Sequence, residues 1–184
     1  QVANYNYLIP RTAADRRGIK PMTASHMSDV GGPAAQMGVP YAAQIAPFLS
    51  PIAIPCQQPP YGRISAVDLK TGKMVWSKIF GTSRDSGPLA LPTFVPIPMG
   101  VPNIGGSVAT ASGLTFIGAT QEHAFRAYET ATGRLLWKTR LPAGGNASPT
   151  TYWSQESGRQ FVVIAAGGHG AMLSGSSDEL IAYA

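Results

Sequence analysis

An imidazole framed by glycines is the feature of this 184-residue sequence best suited to chemistry. His169 stands in Gly167-Gly168-His169-Gly170, directly after the apolar run at residues 161–166. Glycines on both sides let a backbone and a ligand approach closely. An imidazole can bond a hydroxyl or take up its proton near neutral pH. A second polar trio, Gln121-Glu122-His123, follows the equivalent apolar run of the preceding unit, at residues 114–119. A carboxylate there can bond a bound polyhydroxyl molecule or support a pocket; a solvated charge is the plain alternative. Asp85, in Gly81-Thr82-Ser83-Arg84-Asp85-Ser86, is read as a local Asx-turn, with support of a pocket loop as the other option. Arg11 and Arg16 are read as solvated, with pairing to an acidic small molecule or a phospholipid as the minor alternative.

Other chemistries are excluded by pattern. The string Gly168-His169-Gly170 lacks the third glycine and the βαβ setting of a dinucleotide loop. His26, His123 and His169 have no metal-ligand spacing, and Cys56 is the single cysteine, so neither a cysteine metal site nor an internal disulfide forms. No Gly-x-Ser-x-Gly elbow occurs. The net charge is +5, but its basic residues are scattered, with no basic and aromatic stripe for nucleic acid. No window carries the ~18 consecutive apolar residues that a membrane helix needs.

The elements that position these residues come from a repeat. Ala66-Val67-Asp68-Leu69-Lys70-Thr71-Gly72-Lys73-Met74-Val75-Trp76 returns as Ala127-Tyr128-Glu129-Thr130-Ala131-Thr132-Gly133-Arg134-Leu135-Leu136-Trp137, 61 residues on. The shared pattern is Ala-x-Asp/Glu-x-x-Thr-Gly-Lys/Arg-x-x-Trp. It predicts a strand, a turn at Gly72 or Gly133, and a returning strand that ends in a docking Trp, Trp76 or Trp137. Each indole can wedge between neighbouring units and give its N–H to a carbonyl. A third copy starts at Leu180-Ile181-Ala182-Tyr183-Ala184. Repetition at a fixed period marks an array of units rather than isolated hairpins.

The predicted fold is all-β: a partial β-propeller of about two to two and a half four-stranded antiparallel blades, with long Pro-rich loops. Residues 1–62 are expected to be a Pro-rich loop region. A strand at residues 4–9 closes at Pro10, and a helical turn at 12–17 is capped by Thr12. Blade material fills 63–184. Residues 63–80 end one blade, 81–102 form a Pro-rich insertion, 103–141 make a complete blade and 146–184 begin the next. The run at 161–166 is expected to be buried on both faces. So few units leave open sheet edges, to be covered by the remainder of a propeller or by another copy. The chain is therefore read as a piece of a longer protein.

The repeat resembles the tryptophan-docking motif of quinoprotein dehydrogenases. The strings Met37-Gly38-Val39-Pro40-Tyr41, Pro47-Phe48-Leu49-Ser50-Pro51, Pro55-Cys56-Gln57-Gln58-Pro59, Leu141-Pro142-Ala143-Gly144-Gly145 and Ala166-Gly167-Gly168-His169-Gly170 narrow it. Together they resemble the C-terminal part of the membrane-bound glucose/quinate/shikimate dehydrogenases. The resemblance implies an eight-bladed propeller on the periplasmic side of the bacterial inner membrane, anchored by helices absent here. It implies pyrroloquinoline quinone (PQQ) near the axis with Ca²⁺ or Mg²⁺. A sugar or cyclic polyol would be oxidised and electrons passed to ubiquinone. His169, Gly168 and Glu122 would lie on the substrate side. The family's catalytic Asp and its PQQ-contacting Lys fall upstream, so no catalytic base is assigned to this chain, and these residues alone are expected to be inactive. The segment from Ala171 to Asp178 differs from the glucose-type pattern, which leaves glucose and quinate or shikimate both open. A non-enzymatic propeller scaffold of the cell envelope is the alternative function.

Overall fold

The computed structural model describes residues 4–19, 33–35 and 38–184. His26 and Met37, the first residue of the first motif string, lie outside them. The chain divides into two compact units, one within residues 2–57 and the other within 58–184.

In the first unit, β1 (Asn4–Pro10) pairs antiparallel with β3 (Tyr41–Pro47), which also pairs with β2 (Pro33–Ala35). The short helix α1 (Arg11–Arg16) follows β1 directly, and Ile9, Ala14 and Ala42 form a small core beneath it. The strand at 4–9 is found as expected; two other readings are corrected. The helix is entered through Pro10 with no side-chain cap, so Thr12 does not serve as N-cap. The first N–H of the helix, that of Arg11, is instead taken by the Pro40 carbonyl at 2.7 Å. Residues 41–47, read as loop, are a strand. Arg11 is not simply solvated either: its Nε and Nη2 donate to the Val39 carbonyl at 3.2 and 2.7 Å.

The second unit is built of three antiparallel sheets in chain order. The first is a hairpin of β4 (Arg63–Val67) and β5 (Met74–Ile79). The second is a four-stranded meander of β6 (Ser107–Ala109), β7 (Leu114–Ile117), β8 (Ala124–Glu129) and β9 (Leu135–Arg140). The third contains β10 (Thr150–Ser154), β11 (Arg159–Ala165) and β12 (Leu180–Tyr183). Residues 81–102 run between the first two sheets with only two short 3-10 turns.

The sheets stack face to face. Phe80, Ala119 and Tyr128, with Ile64 and Ile117, fill the space between the first and second. Phe125, Leu141, Val162, Ile164 and Ala166 fill the space between the second and third, with Phe116, Ile181 and Tyr183 beside them. The meander is thus apolar on both faces, and β8 is buried along almost its whole length. The run at 161–166 is a correction in part: Val162 and Ile164 are buried while Phe161, Val163 and Ala165 are half-buried. Consecutive meanders stacked this way are blades of a β-propeller.

The repeated motif is what joins one sheet to the next. Asp68 Oδ1 accepts the N–H groups of Lys70 and Thr71 at 2.8 and 3.2 Å, closing the turn that Gly72 completes at φ +67°. The indole N–H of Trp76 donates to the carbonyl of Thr130 in the equivalent turn of the next sheet, at 2.9 Å. Its ring lies so close over Gly133 that a Cβ there would come within 2.6 Å of it. Gly133 also holds φ +65°, so the position needs glycine twice over.

Candidate functional site

The residues singled out in the sequence gather in the connections that follow β7 and β11, together with the start of the 81–102 insertion. Each is held there by an identifiable set of bonds.

The segment carrying His169 is a closed loop. Gly168 and Ser176 form an isolated antiparallel bridge at its base. Gly168 has φ +69°, and a Cβ on it would fall 1.9 Å from the Gly175 carbonyl, so no other residue fits. Its N–H donates to the Gly144 carbonyl at 2.9 Å, and the Gly144 N–H donates to the Ser174 carbonyl at 2.7 Å. The buried Ser174 hydroxyl donates to Asn146 Oδ1 at 2.7 Å. At the other end, His169 enters a 3-10 turn, Gly170–Met172, and its carbonyl accepts the Met172 N–H at 3.1 Å. The imidazole is half-buried. Its Nδ1 is fully shielded and has no hydrogen-bond partner among the described residues. A shielded polar atom without a partner is costly, which singles this ring out as a candidate for a functional role.

Gln121-Glu122-His123 adjoins this loop. The Gln121 side-chain amide donates to the Met172 carbonyl at 2.7 Å. The His123 ring stands against Gly175, where a Cβ would be 3.3 Å from its Cε1. The repeat reading, which put these two connections on one rim, agrees with those contacts.

Glu122 itself is turned inward. Its side chain is 0% exposed. One oxygen accepts from Lys138 Nζ at 2.5 Å; the other accepts from the buried Arg126 and from the backbone N–H of Thr82 at 2.8 Å. Burial alone would push this carboxyl upward, but Arg126, Lys138 and the Thr82 N–H outweigh it and hold it below the ordinary glutamate range. The shielding is a physical obstacle to the substrate contact expected from sequence, because both oxygens are already spent.

Asp85 answers Glu122 from the other side. Arg140 grips its two oxygens at 2.6 and 2.8 Å, and the backbone N–H of His123 donates to it at 2.9 Å. The Asx-turn reading is therefore replaced by its alternative, a long-range support of the loop. Burial raises this carboxyl, and Arg140 with the His123 N–H more than reverses the shift, leaving it below the usual aspartate range. The two carboxylates form a reciprocal stitch. The insertion's Asp85 takes an N–H from residue 123, and Glu122 takes an N–H from the insertion's Thr82.

Trp76 and Trp137 are both placed in packing, not against this rim. Trp137 stacks edge-on with Phe125 and Tyr183, at centroid distances of 6.0 and 5.1 Å. A groove of about 450 Å³ opens beside it, lined by Phe116, Phe161, Val162 and Tyr183 among others. That groove contains none of His169, Gly168 or Glu122.

Among the described residues, no three His, Cys, Asp or Glu side chains converge as a metal site. The carboxylates at this rim do not fit a divalent ion, because Asp85 and Glu122 are already paired with three cationic side chains between them and Glu122 is sealed.

Comparison with known proteins decides the family. The model of the PQQ glucose/ethanol/alcohol dehydrogenase β-propeller domain matches residues 1–162. This chain belongs to the PQQ dehydrogenase β-propeller family. It is 46% identical to the quinoprotein glucose dehydrogenase of Escherichia coli K12 over 96% of its own length and 22% of that protein's. It is 50% identical to the probable quinate dehydrogenase (quinone) of Xanthomonas campestris pv. juglandis, over 71% of this chain and 17% of that one. It is 42% identical to the glycerol dehydrogenase large subunit of Gluconobacter thailandicus, over 98% of this chain and 25% of that one. The chain thus spans about a fifth of the length of the relatives it matches. No helix of the described residues is long and apolar enough to cross a membrane.

Proposed function

We propose that these residues are blades from the C-terminal part of a PQQ-dependent dehydrogenase that oxidises a sugar or cyclic polyol, glucose or quinate/shikimate, on the periplasmic side of the membrane and delivers the electrons to ubiquinone. The observation that carries this reading is His169: a half-buried imidazole in a loop built rigidly from glycines, with one shielded nitrogen that lacks a partner. A substrate hydroxyl would meet the less shielded edge of the ring. Relatives that act on glucose, quinate and glycerol agree with a polyhydroxyl substrate.

In this reading His169 orients a hydroxyl of the substrate, and Gly168 lets the ring and the substrate backbone approach without a side chain between them. Glu122 acts one layer back, holding the 121–123 connection and the 81–102 insertion together. PQQ, when bound, supplies the two-electron acceptor for alcohol oxidation. The Ca²⁺ or Mg²⁺ that accompanies it is held by residues outside this chain, as is the catalytic base. Residues 1–184 on their own turn over no substrate. The exposed apolar side chains of the first hairpin, Leu69, Met74 and Val75, are covered by the rest of the propeller.

The test is reconstitution of the full-length apoprotein with PQQ and Ca²⁺ or Mg²⁺, followed by dye reduction with glucose, quinate, shikimate and glycerol. Reduction with at least one of them, abolished by omitting PQQ, supports the reading. No reduction with any of them favours a non-enzymatic envelope scaffold instead.

A further inference from the structure

The loop that carries His169 is fixed at its base by many bonds and at its tip by one side chain from the neighbouring sheet. The base contains the Gly168–Ser176 bridge, the Gly168 N–H on Gly144 and the Ser174 hydroxyl on Asn146. The tip is the 3-10 turn Gly170–Met172, followed by Leu173 in the left-handed region at φ 50° and largely exposed. At that tip the Gln121 amide donates to the Met172 carbonyl at 2.7 Å. Because a carbonyl only accepts, the atom of Gln121 facing it must be the nitrogen. Gln121 is in turn held from behind. Its own N–H donates to the Pro102 carbonyl at 3.3 Å, and the next two residues carry the stitch to Thr82 and Asp85.

We propose that Gln121 is a positioning residue that sets the orientation of the His169 loop and thereby the preference among polyol substrates. This rests on the dehydrogenase reading above. The bond that Gln121 makes is to the turn, at the Met172 carbonyl. It acts by fixing where the turn after His169 ends, so its loss lets the ring sample orientations in which a substrate hydroxyl is less well met. Substrates that lean most on that hydroxyl lose most.

The experiment compares the full-length wild-type holoenzyme with Gln121→Ala, Gln121→Glu and Gln121→Lys. Alanine removes the donor, glutamate sets an oxygen against the Met172 carbonyl, and lysine restores a donor of similar reach. For the first two, KM for the preferred polyol rises by roughly three- to tenfold, the range of one lost neutral hydrogen bond. Their kcat stays within about twofold, and the ratio of kcat/KM between substrates changes. Lysine returns these values toward wild type. Hydrogen exchange gives a readout independent of turnover: amides of residues 172–174 exchange faster in the alanine and glutamate variants and not in the lysine variant. Unchanged KM and unchanged exchange in Gln121→Ala would overturn the proposal. A wild-type protein that oxidises no polyol would instead overturn the dehydrogenase reading, and the exchange result would still decide whether Gln121 positions the loop.

Discussion

The indole N–H of Trp76 reaches 54 residues ahead to the carbonyl of Thr130, at 2.9 Å, and its ring covers Gly133 in the same turn. One repeat thereby locks onto the next at the equivalent point of its own motif. Gly133→Ala both strains a left-handed position and drives a methyl into the ring. Thermal or urea unfolding of the full-length protein should show a loss of about 2–3 kcal/mol for Gly133→Ala. Trp76→Phe, which deletes the N–H while keeping an aromatic ring, should cost about 1 kcal/mol. Gly113, whose Cβ would meet nothing within 4 Å, is the matched control, since only its φ of +85° opposes a side chain.

Glu122 sits between two cations that the sheet register forces together. Arg126 on β8 lies directly opposite Lys138 on β9. Like charges facing each other destabilise a strand pair, and the buried carboxylate offsets that repulsion. Glu122→Gln leaves Arg126 and Lys138 without their anion and should lower stability by about 3 kcal/mol. Glu122→Asp keeps the charge but shortens its reach, so it should fall between wild type and the Gln variant. Chemical denaturation of the three proteins side by side checks the order.

Both carboxylates also make a pH prediction. In the folded protein both are held below the ordinary carboxylate range, Glu122 by Arg126 and Lys138 and Asp85 by Arg140 and the His123 N–H. A carboxyl whose folded value is depressed contributes stability above its unfolded value and loses it as pH falls through the folded one. Melting temperature should therefore be insensitive to these groups near neutrality and drop as pH falls below about 4.5. The drop should be shallower in Glu122→Gln and in Asp85→Asn, because each removes one of the protons that the unfolded chain takes up.

Asp85 ties the insertion down from a distance of 55 residues through Arg140. Arg140→Ala removes the fork and leaves Asp85 with the His123 N–H alone. Limited proteolysis should then cut within 81–102 faster than in wild type, where Leu91, Phe94 and Val95 are already exposed. Equal cleavage rates in the two proteins would show that the insertion is held by other bonds.

Much of the second unit was legible because its signals are local. Thr-Gly turns, alternation before them and a Trp after them reported the strand pairs at 63–79 and 124–140. The strand Tyr41–Pro47 was missed for a physical reason. Three of its seven residues are alanine, weak in β preference, and its ladder partner, β1, lies more than thirty residues back. The stitch between the insertion and the 121–123 connection escaped for the same reason, as its bonds, Thr82 to Glu122, His123 to Asp85 and Arg140 to Asp85, span 38 to 55 residues. One signal was present. Arg126 and Lys138 stand at matched places on either side of the repeated turn, and two cations so placed call for an anion. The inward turn of Glu122 follows from that register, whereas the sequence alone had offered it to the substrate. For His169 the glycine framing was readable, but its partnerless nitrogen and the Gln121 anchor depend on how the third sheet meets the second.

The measurement that bears most directly on the whole account is an experimental structure of the full-length protein with PQQ and its polyol bound. The account predicts the His169 imidazole at the central cavity, with a ring nitrogen within about 3.5 Å of a substrate hydroxyl. A His169 ring on the outer surface, or a substrate bound with no contact to it, would contradict the account.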